Sequence, residues 1–406
     1  MRGRLNPYFT VHILIAPNAF KNALDAAAVA TAIRHGLRQS KLKCTTECFP
    51  VGDGGDGTAK LMVQHCGGKN FTVKVCGPLG KKISATFGLI DKDKTAVIEL
   101  ADASGLRLLR KDELNPLRAS TFGTGELMRH ALDKGVSKII LGVGGSATVD
   151  GGVGILRALG VRFLDAGGKV LSNLPEDLIR LESIDLTGLD ESMARCTLMI
   201  LCDVENPLLG NHGAANVFGP QKGATPAAVK KLEAGLKQFS EIIFRQTGKK
   251  IARMKHGGAA GGVPAGLCGL LNVKLVNGIG HFLEVTRFDA ALRKADLVIT
   301  GEGSLDEQTL HGKGPFGVAL RATEKNIPVI GLAGRISLKG NSRLKRYFDV
   351  LLPISDEAME LEAAIRHTAQ NLRSTAKRLG NCLARENCPS GTAVSKVLPS
   401  RKVRAK

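Results

Sequence analysis

Tryptophan is absent from this chain and tyrosine occurs twice, within an aromatic share of 4%. Proteins that hold single-stranded nucleic acid stack bases on aromatic side chains set among basic ones. No such run is present, so the net charge of +20, from 57 Lys and Arg against 37 Asp and Glu, does not select nucleic acid as a partner. Part of the excess gathers late, at Lys377, Arg378, Arg385, Lys396, Arg401, Lys402, Arg404 and Lys406, and 380–406 reads as a basic, disordered tail. The remaining positive balance suits anionic metabolites. No apolar run approaches the roughly 20 residues needed to cross a bilayer, so no membrane partner is expected. Phe9–Ala16 stands behind Arg2 and Arg4 but runs on without a convincing cleavage site, which makes it a first strand and the compartment cytoplasmic. The nine cysteines form no Cys-x-x-Cys pair and read as reduced thiols, neither zinc ligands nor a disulfide frame. The histidines likewise lack metal spacing. Missing too are the Walker A spacing and a G-x-G-x-x-G that opens a βαβ unit.

Glycine, with 49 residues, is what the chain has in abundance. Lys138–Val143 is a buried-strand pattern, Ile155–Leu159 can begin a helix, and six glycines lie in the segment Leu141–Gly154 that joins them. A strand, a glycine turn and a helix N-terminus leave main-chain N–H groups free to converge on an anion. Ser146 and Thr148 add hydroxyls, and Asp150 adds a carboxylate that a phosphate would meet only through a cation. Three further segments share this character: Pro50–Thr58 with Asp53 and Asp56, Gly257–Gly266, and Thr300–Pro315 with Glu302 and Asp306. Glycines and acids together at strand ends suit an enzyme that handles phosphates through a divalent ion.

Short apolar strands alternate with helical patterns at both ends of the chain. Asp25 is placed to cap a helix whose stripe is Val29, Ile33 and Leu37. Between the ends, Phe71–Val75, Ile83–Leu89 and Thr95–Leu100 follow one another so closely that they are more easily antiparallel. The expected architecture is two-domain α/β. Residues 11–70 and 290–375 build a doubly wound parallel-sheet domain, and 71–289 form an inserted mixed-sheet α/β domain. The glycine-acidic loops follow or flank strands, which fits one shared cleft.

Nine blocks, taken in order, resemble the type-1 glycerate kinases. They are IAPNAFKNALDA (15–26), GDGGDGT (52–58), GPLG (77–80), IELADASGL (98–106), NPLRASTFGTGEL (115–127), GVGGSATVDGGVGILRALG (142–160), CDVENPLLG (202–210), VFGPQKGA (217–224) and ADLVITGEGSLDEQTLHGKGP (295–315). The chain departs from the family pattern at Asn18, Ala19 and Ala23, where a carboxylate and two hydroxyls are more usual, at Asn22, where glycine is, and at Asp56 and Val149. Asn18 is therefore given no metal. The resemblance implies ATP-dependent phosphorylation of D-glycerate with Mg²⁺, chiefly at the 2-hydroxyl, with 3-phosphoglycerate as the other product. It covers about residues 11–370.

On that basis Gly144, Gly145, Ser146 and Thr148 are the expected phosphate cradle, with Lys313 and Lys21 as cationic partners. Asp203, ending an apolar strand, is the candidate base, with Asp150 beside Lys21 as further catalytic candidates. Asp53, Glu302 and Asp306 are the candidate Mg²⁺ ligands. The glycerate carboxylate needs a cation, with Arg118 or Lys222 available. A kinase of another small hydroxy acid such as tartronate or threonate, and a non-catalytic sugar-acid sensor, are the competing readings. A homodimer is compatible with the chain.

Overall fold

The computed structural model describes residues 10–337, 343–355 and 360–384. In chain order its strands are β1 (Val11–Ile15), β2 (Cys44–Cys48), β3 (Lys69–Cys76), β4 (Lys82–Ile90), β5 (Thr95–Glu99), β6 (Lys138–Gly142), β7 (Arg162–Leu164), β8 (Ser183–Asp185), β9 (Thr197–Leu201), β10 (Val273–Val276), β11 (Leu297–Leu305), β12 (Val329–Ile336) and β13 (Val350–Pro353). Two compact units divide them: residues 1–53 with 279–406, and residues 54–278. The expected boundaries are displaced at both crossings. Residues 54–70 are expected with the chain ends, yet the helix Thr58–His65 packs on β4 and β5 of the internal unit. Residues 279–289, expected in the insert, belong to the unit made from the ends.

The unit built from both ends is a five-stranded, all-parallel sheet in the order β13-β12-β11-β1-β2. Alternate residues of a strand face opposite sides. Ile13, Ile15, Leu297, Ile299, Ile330 and Leu332 meet helices Ala26–Arg38 and Thr368–Ala384 on one face. Their neighbours Leu14, Val298 and Val329 are as fully buried, and helix Gly314–Thr323 packs on β11 and β12. Burial on both faces is why these strands read as continuous apolar runs.

Asp25 caps the first of those helices, its carboxylate accepting from the Ala28 N–H at 2.7 Å. Asp25→Ala should lower stability by about 1 kcal/mol, read as a smaller urea midpoint at unchanged slope. Within this helix Gly36 lies so near its neighbour that a Cβ would stand 2.3 Å from the Arg373 carbonyl oxygen.

The C-terminal helix carries Leu372, Ala376 and Leu379 into the core at helical spacing and continues to Ala384. The expected tail from 380 is thus corrected at its start. Gly380 is buried, with no room for a Cβ against Ser40 Oγ, and 385–406 lie outside the described residues. Cys44, Cys48, Cys66, Cys76, Cys196, Cys202 and Cys268 are free thiols.

The internal unit holds a six-stranded mixed sheet, β10-β9-β6-β5-β4-β3, and a small β7-β8 pair. β10, β9, β6 and β5 run parallel, and β4 and β3 are antiparallel, as the short connections require. Glu99, Gly142 and Leu201 are aligned in register at the carboxyl ends of the central strands. Among the described residues no helix is long and apolar enough to cross a membrane.

Candidate active site

The first cluster lies at the carboxyl ends of β1 and β11. These strands are neighbours at the point where the chain connections leave in opposite directions, β1 leading to β2 and β11 to β12. In open parallel sheets such a switch point opens a crevice for ligands. Asn18, just beyond β1, donates from Nδ2 to Asp53 Oδ2 at 2.7 Å. The same Asp53 oxygen accepts the Gly314 N–H at 3.3 Å, at the first turn of helix Gly314–Thr323. A negative charge there meets the positive end of the helix dipole. Gly314 is required at this spot, since a Cβ would stand 2.9 Å from Asn18 Nδ2.

Glu302, on β11, accepts from Thr309 Oγ1 at 3.2 Å, and Lys313 Nζ stands 3.9 Å from both Glu302 Oε1 and Asp306 Oδ1. Burial pushes the Glu302 carboxyl up to about 7, and the Asp53 charge adds to the rise against Lys313, the Thr309 bond and Lys21. Lys21 is exposed, with its backbone nitrogen 3.8 Å from where a Gly303 Cβ would be. This unit therefore collects Lys21, Asp53, Glu302, Asp306 and Lys313, together with Asn18 and Thr309, which the sequence pattern does not nominate. The available signal for Asn18 is its place directly after the first strand. Among the described residues no group of three His, Cys, Asp or Glu side chains is gathered closely enough to hold a metal unaided. The three acids named as ligands are instead paired with Lys313, Asn18 and the Gly314 amide.

The second cluster lies at the carboxyl ends of β5, β6, β9 and β10. Three of the glycine segments interlock there. A Cβ on Gly144 would stand 2.8 Å from Gly55 Cα, and one on Gly261 would stand 2.1 Å from the Thr148 carbonyl oxygen. The Gly151 N–H donates to the Gly261 carbonyl at 2.9 Å. Gly145, Gly151, Gly152, Gly261 and Gly262 adopt positive φ, a conformation open to glycine at little cost. Among the described residues the N–H groups of Gly145 and Ser146 donate to no protein acceptor, which leaves two amides for an anion.

The expected hydroxyl donors of this loop are turned inward. Ser146 is 5% exposed and its Oγ accepts from Lys222 Nζ at 2.7 Å. Thr148 is fully buried, and its Oγ1 has no partner among the described residues. Only Gly144 and Gly145 reach the surface. Asp150 is corrected as well. It is fully buried and accepts from Thr121 N and Oγ1 at 2.8 Å each, Gly152 N at 3.0 Å and Gly154 N at 3.3 Å. Its carboxylate ties Gly154, in helix Val153–Ala158, to Thr121, just before helix Phe122–Leu132, and has no open face for a substrate.

Glu99 does a similar service for the 52–58 loop. It accepts the Gly57 and Ala59 N–H groups at 3.0 and 2.7 Å, and burial raises it to about 7. Asp203 is half-buried just after β9, accepting from Asn277 Nδ2 at 2.8 Å and Gly278 N at 2.9 Å. Arg118 is exposed.

The sequence matches the model of the glycerate kinase family over residues 13–384. This chain belongs to the glycerate kinase family. Its members are phosphotransferases that act on an alcohol. Among its relatives, glycerate kinase of Halalkalibacterium halodurans is 41% identical over 367 residues, covering 90% of this chain and 97% of that one. Glycerate kinase of Bacillus subtilis is 42% identical over 365 residues, 90% and 96% of the two chains. Glycerate 2-kinase of Escherichia coli is 37% identical over 371 residues, 91% and 98% of the two chains. A crystal structure assigned as glycerate kinase 2 of Salmonella typhimurium LT2 aligns with a TM-score of 0.79 at 41% identity, covering 92% of this chain and 98% of that one. The fold of this family member is thus the two-sheet α/β arrangement described above.

Proposed function

We propose that this chain transfers the γ-phosphoryl group of ATP to D-glycerate and releases 2-phosphoglycerate. The observation that carries the reading is the arrangement at the switch point, where Lys313 lies 3.9 Å from each of two carboxylates beside a helix N-terminus. Phosphoryl transfer asks a protein chiefly for positioning and for charge opposite the phosphates. The name of the Escherichia coli relative, glycerate 2-kinase, supports the 2-hydroxyl as acceptor.

In this reading Lys21 and Lys313 face phosphate oxygens, and the free amides of Gly145 and Ser146 hold an anionic group. Mg²⁺ would be held by Asp53, Glu302 and Asp306 jointly with the nucleotide, since that ion keeps waters and needs only one or two carboxylates beside phosphates. When bound it neutralises the charge of the transferring group. Asp203 takes the proton of the acceptor hydroxyl, held in position by its bonds to Asn277 and Gly278.

A coupled assay with ATP, Mg²⁺ and D-glycerate tests this directly. Signal through enolase with no mutase present is the expected result. Signal that appears only after phosphoglycerate mutase is added would make the product 3-phosphoglycerate, and absence of ADP would move the acceptor to another hydroxy acid or the protein to a sensor. Asp203→Asn should then lower kcat by about 10²–10⁴-fold with KM for glycerate changed little.

A further inference from the structure

Lys222 is the most deeply buried cation of the internal unit. It closes the short turn Pro220–Lys222, with 2% of its surface exposed, and Gly223 follows in the left-handed region. A Gly223 Cβ would stand 2.6 Å from the Leu114 carbonyl oxygen, so the turn is pressed against its neighbour and its lysine is directed inward. The ammonium end donates to Ser146 Oγ and to the Thr148 carbonyl, each at 2.7 Å. Those two acceptors bracket Ala147, in the middle of the glycine loop that follows β6.

We infer that Lys222 is a positioning residue of the kinase, a buried strut that fixes the backbone of loop 144–149 so that its Gly145 and Ser146 amides face the anion. The inference rests on the reading of that loop as an anion cradle. Two alternatives are set aside by the geometry. A cation that received the glycerate carboxylate would need an open face, and Lys222 has almost none. A purely packing lysine would leave its Nζ at the surface, as long charged side chains do when they have the freedom. Here the Nζ spends its bonds on one loop.

Electrostatics agree with a strut. Burial draws Lys222 down to about 7, with the Asp150 charge opposing that fall. The glycine loop needs such a tie because few side chains can hold it. Two of its six residues, Gly144 and Gly145, are glycines without side chains to make contacts. Ser104 and Leu106 add main-chain bonds to Ala147 and Gly145.

The test compares full-length wild type, Lys222→Met and Ser146→Ala by hydrogen exchange of the ligand-free protein and by steady-state kinetics. Met keeps the length of the side chain and removes both donors. Ser146→Ala leaves Lys222 in place and removes one acceptor, so a folded variant remains if Lys222→Met does not fold. The expected result is exchange at 144–149 at least tenfold faster, with other segments of the internal unit unchanged. Along with it kcat falls at least tenfold, in Ser146→Ala by less than in Lys222→Met, and KM for glycerate stays within about twofold. A large rise in glycerate KM at wild-type kcat, with loop exchange unaltered, would overturn the strut and make Lys222 a substrate ligand. Unaltered exchange in both variants would overturn it equally. If the wild type turns over no ATP, the functional reading fails, and the exchange data still decide the role of Lys222.

Discussion

At pH 8 the Glu302→Gln variant is expected to be more stable than the wild type while losing at least a hundredfold in kcat. The carboxyl of Glu302 rises from its ordinary 4.5 to about 7 in the folded protein, first through burial and then through Asp53. A carboxyl so raised binds its proton more tightly folded than unfolded. The contribution of Glu302 to stability is therefore most favourable below about 4.5, declines as pH climbs toward 7, and stays low above it. The shift corresponds to about 3 kcal/mol once both states are ionised, at 1.36 kcal/mol per pH unit. Glutamine retains an oxygen for the Thr309 hydroxyl and carries no charge, so it escapes that loss. It also removes a carboxylate that the proposed reaction needs against Mg²⁺ and Lys313. Urea unfolding at pH 4.5 and pH 8 reads the effect: the variant should gain little at the first and about 2–3 kcal/mol at the second. A stability difference independent of pH would show that Glu302 does not titrate in this range. Higher stability with wild-type turnover would take Glu302 out of the chemistry.

Asp150→Asn is expected to cost about 3–5 kcal/mol, the scale for breaking a buried charged network by removing one partner. The four bonds that Asp150 accepts are all from donors, and an asparagine turns one of its two polar ends into another donor. The loss also leaves Lys222 without the nearby negative charge that supports its protonated form. That second effect is separable. In the double variant with Lys222→Met there is no buried ammonium to strand, so the combined cost should fall short of the sum by more than 1 kcal/mol. Urea midpoints for the wild type, both single variants and the double variant provide the cycle. Simple additivity would mean that Asp150 and Lys222 act independently. A near-neutral Asp150→Asn would show that the helix-end amides find other acceptors.

Much of the fold is legible in residue patterns alone. Helix Pro226–Thr247 begins behind its cap Thr225 and ends at Gly248 in the left-handed region, and Thr58–His65 begins behind Gly57 of the 52–58 turn, all residue types that mark helix limits locally. The segment from Phe71 to Leu100 is antiparallel because its connections are too short for a crossover. Unit boundaries are less legible. Thr58–His65 follows a strand of one unit and packs on the other, and nothing local distinguishes the two. At the site, residue type is legible and direction is not. An aspartate, a serine and a threonine beside glycines look alike whether they face a ligand or cap neighbouring amides. Asp150, Ser146 and Thr148 face inward, whereas Glu302 and Asp306 each stand 3.9 Å from Lys313 and Asp53 takes Asn18 as its partner.

What the sequence determined by itself is the class of the molecule and its chemistry-bearing loops. Alternating apolar runs, capping residues and glycine turns are local properties, and nine ordered blocks are a linear one. What only tertiary structure decided is which partner each polar group takes. Lys222 and Ser146 are 76 residues apart, and Asn18 and Asp53 are 35 apart. Such pairs form because a buried donor must find an acceptor within about 3 Å. That demand is met in three dimensions, from whatever elements the sheets bring to their carboxyl ends.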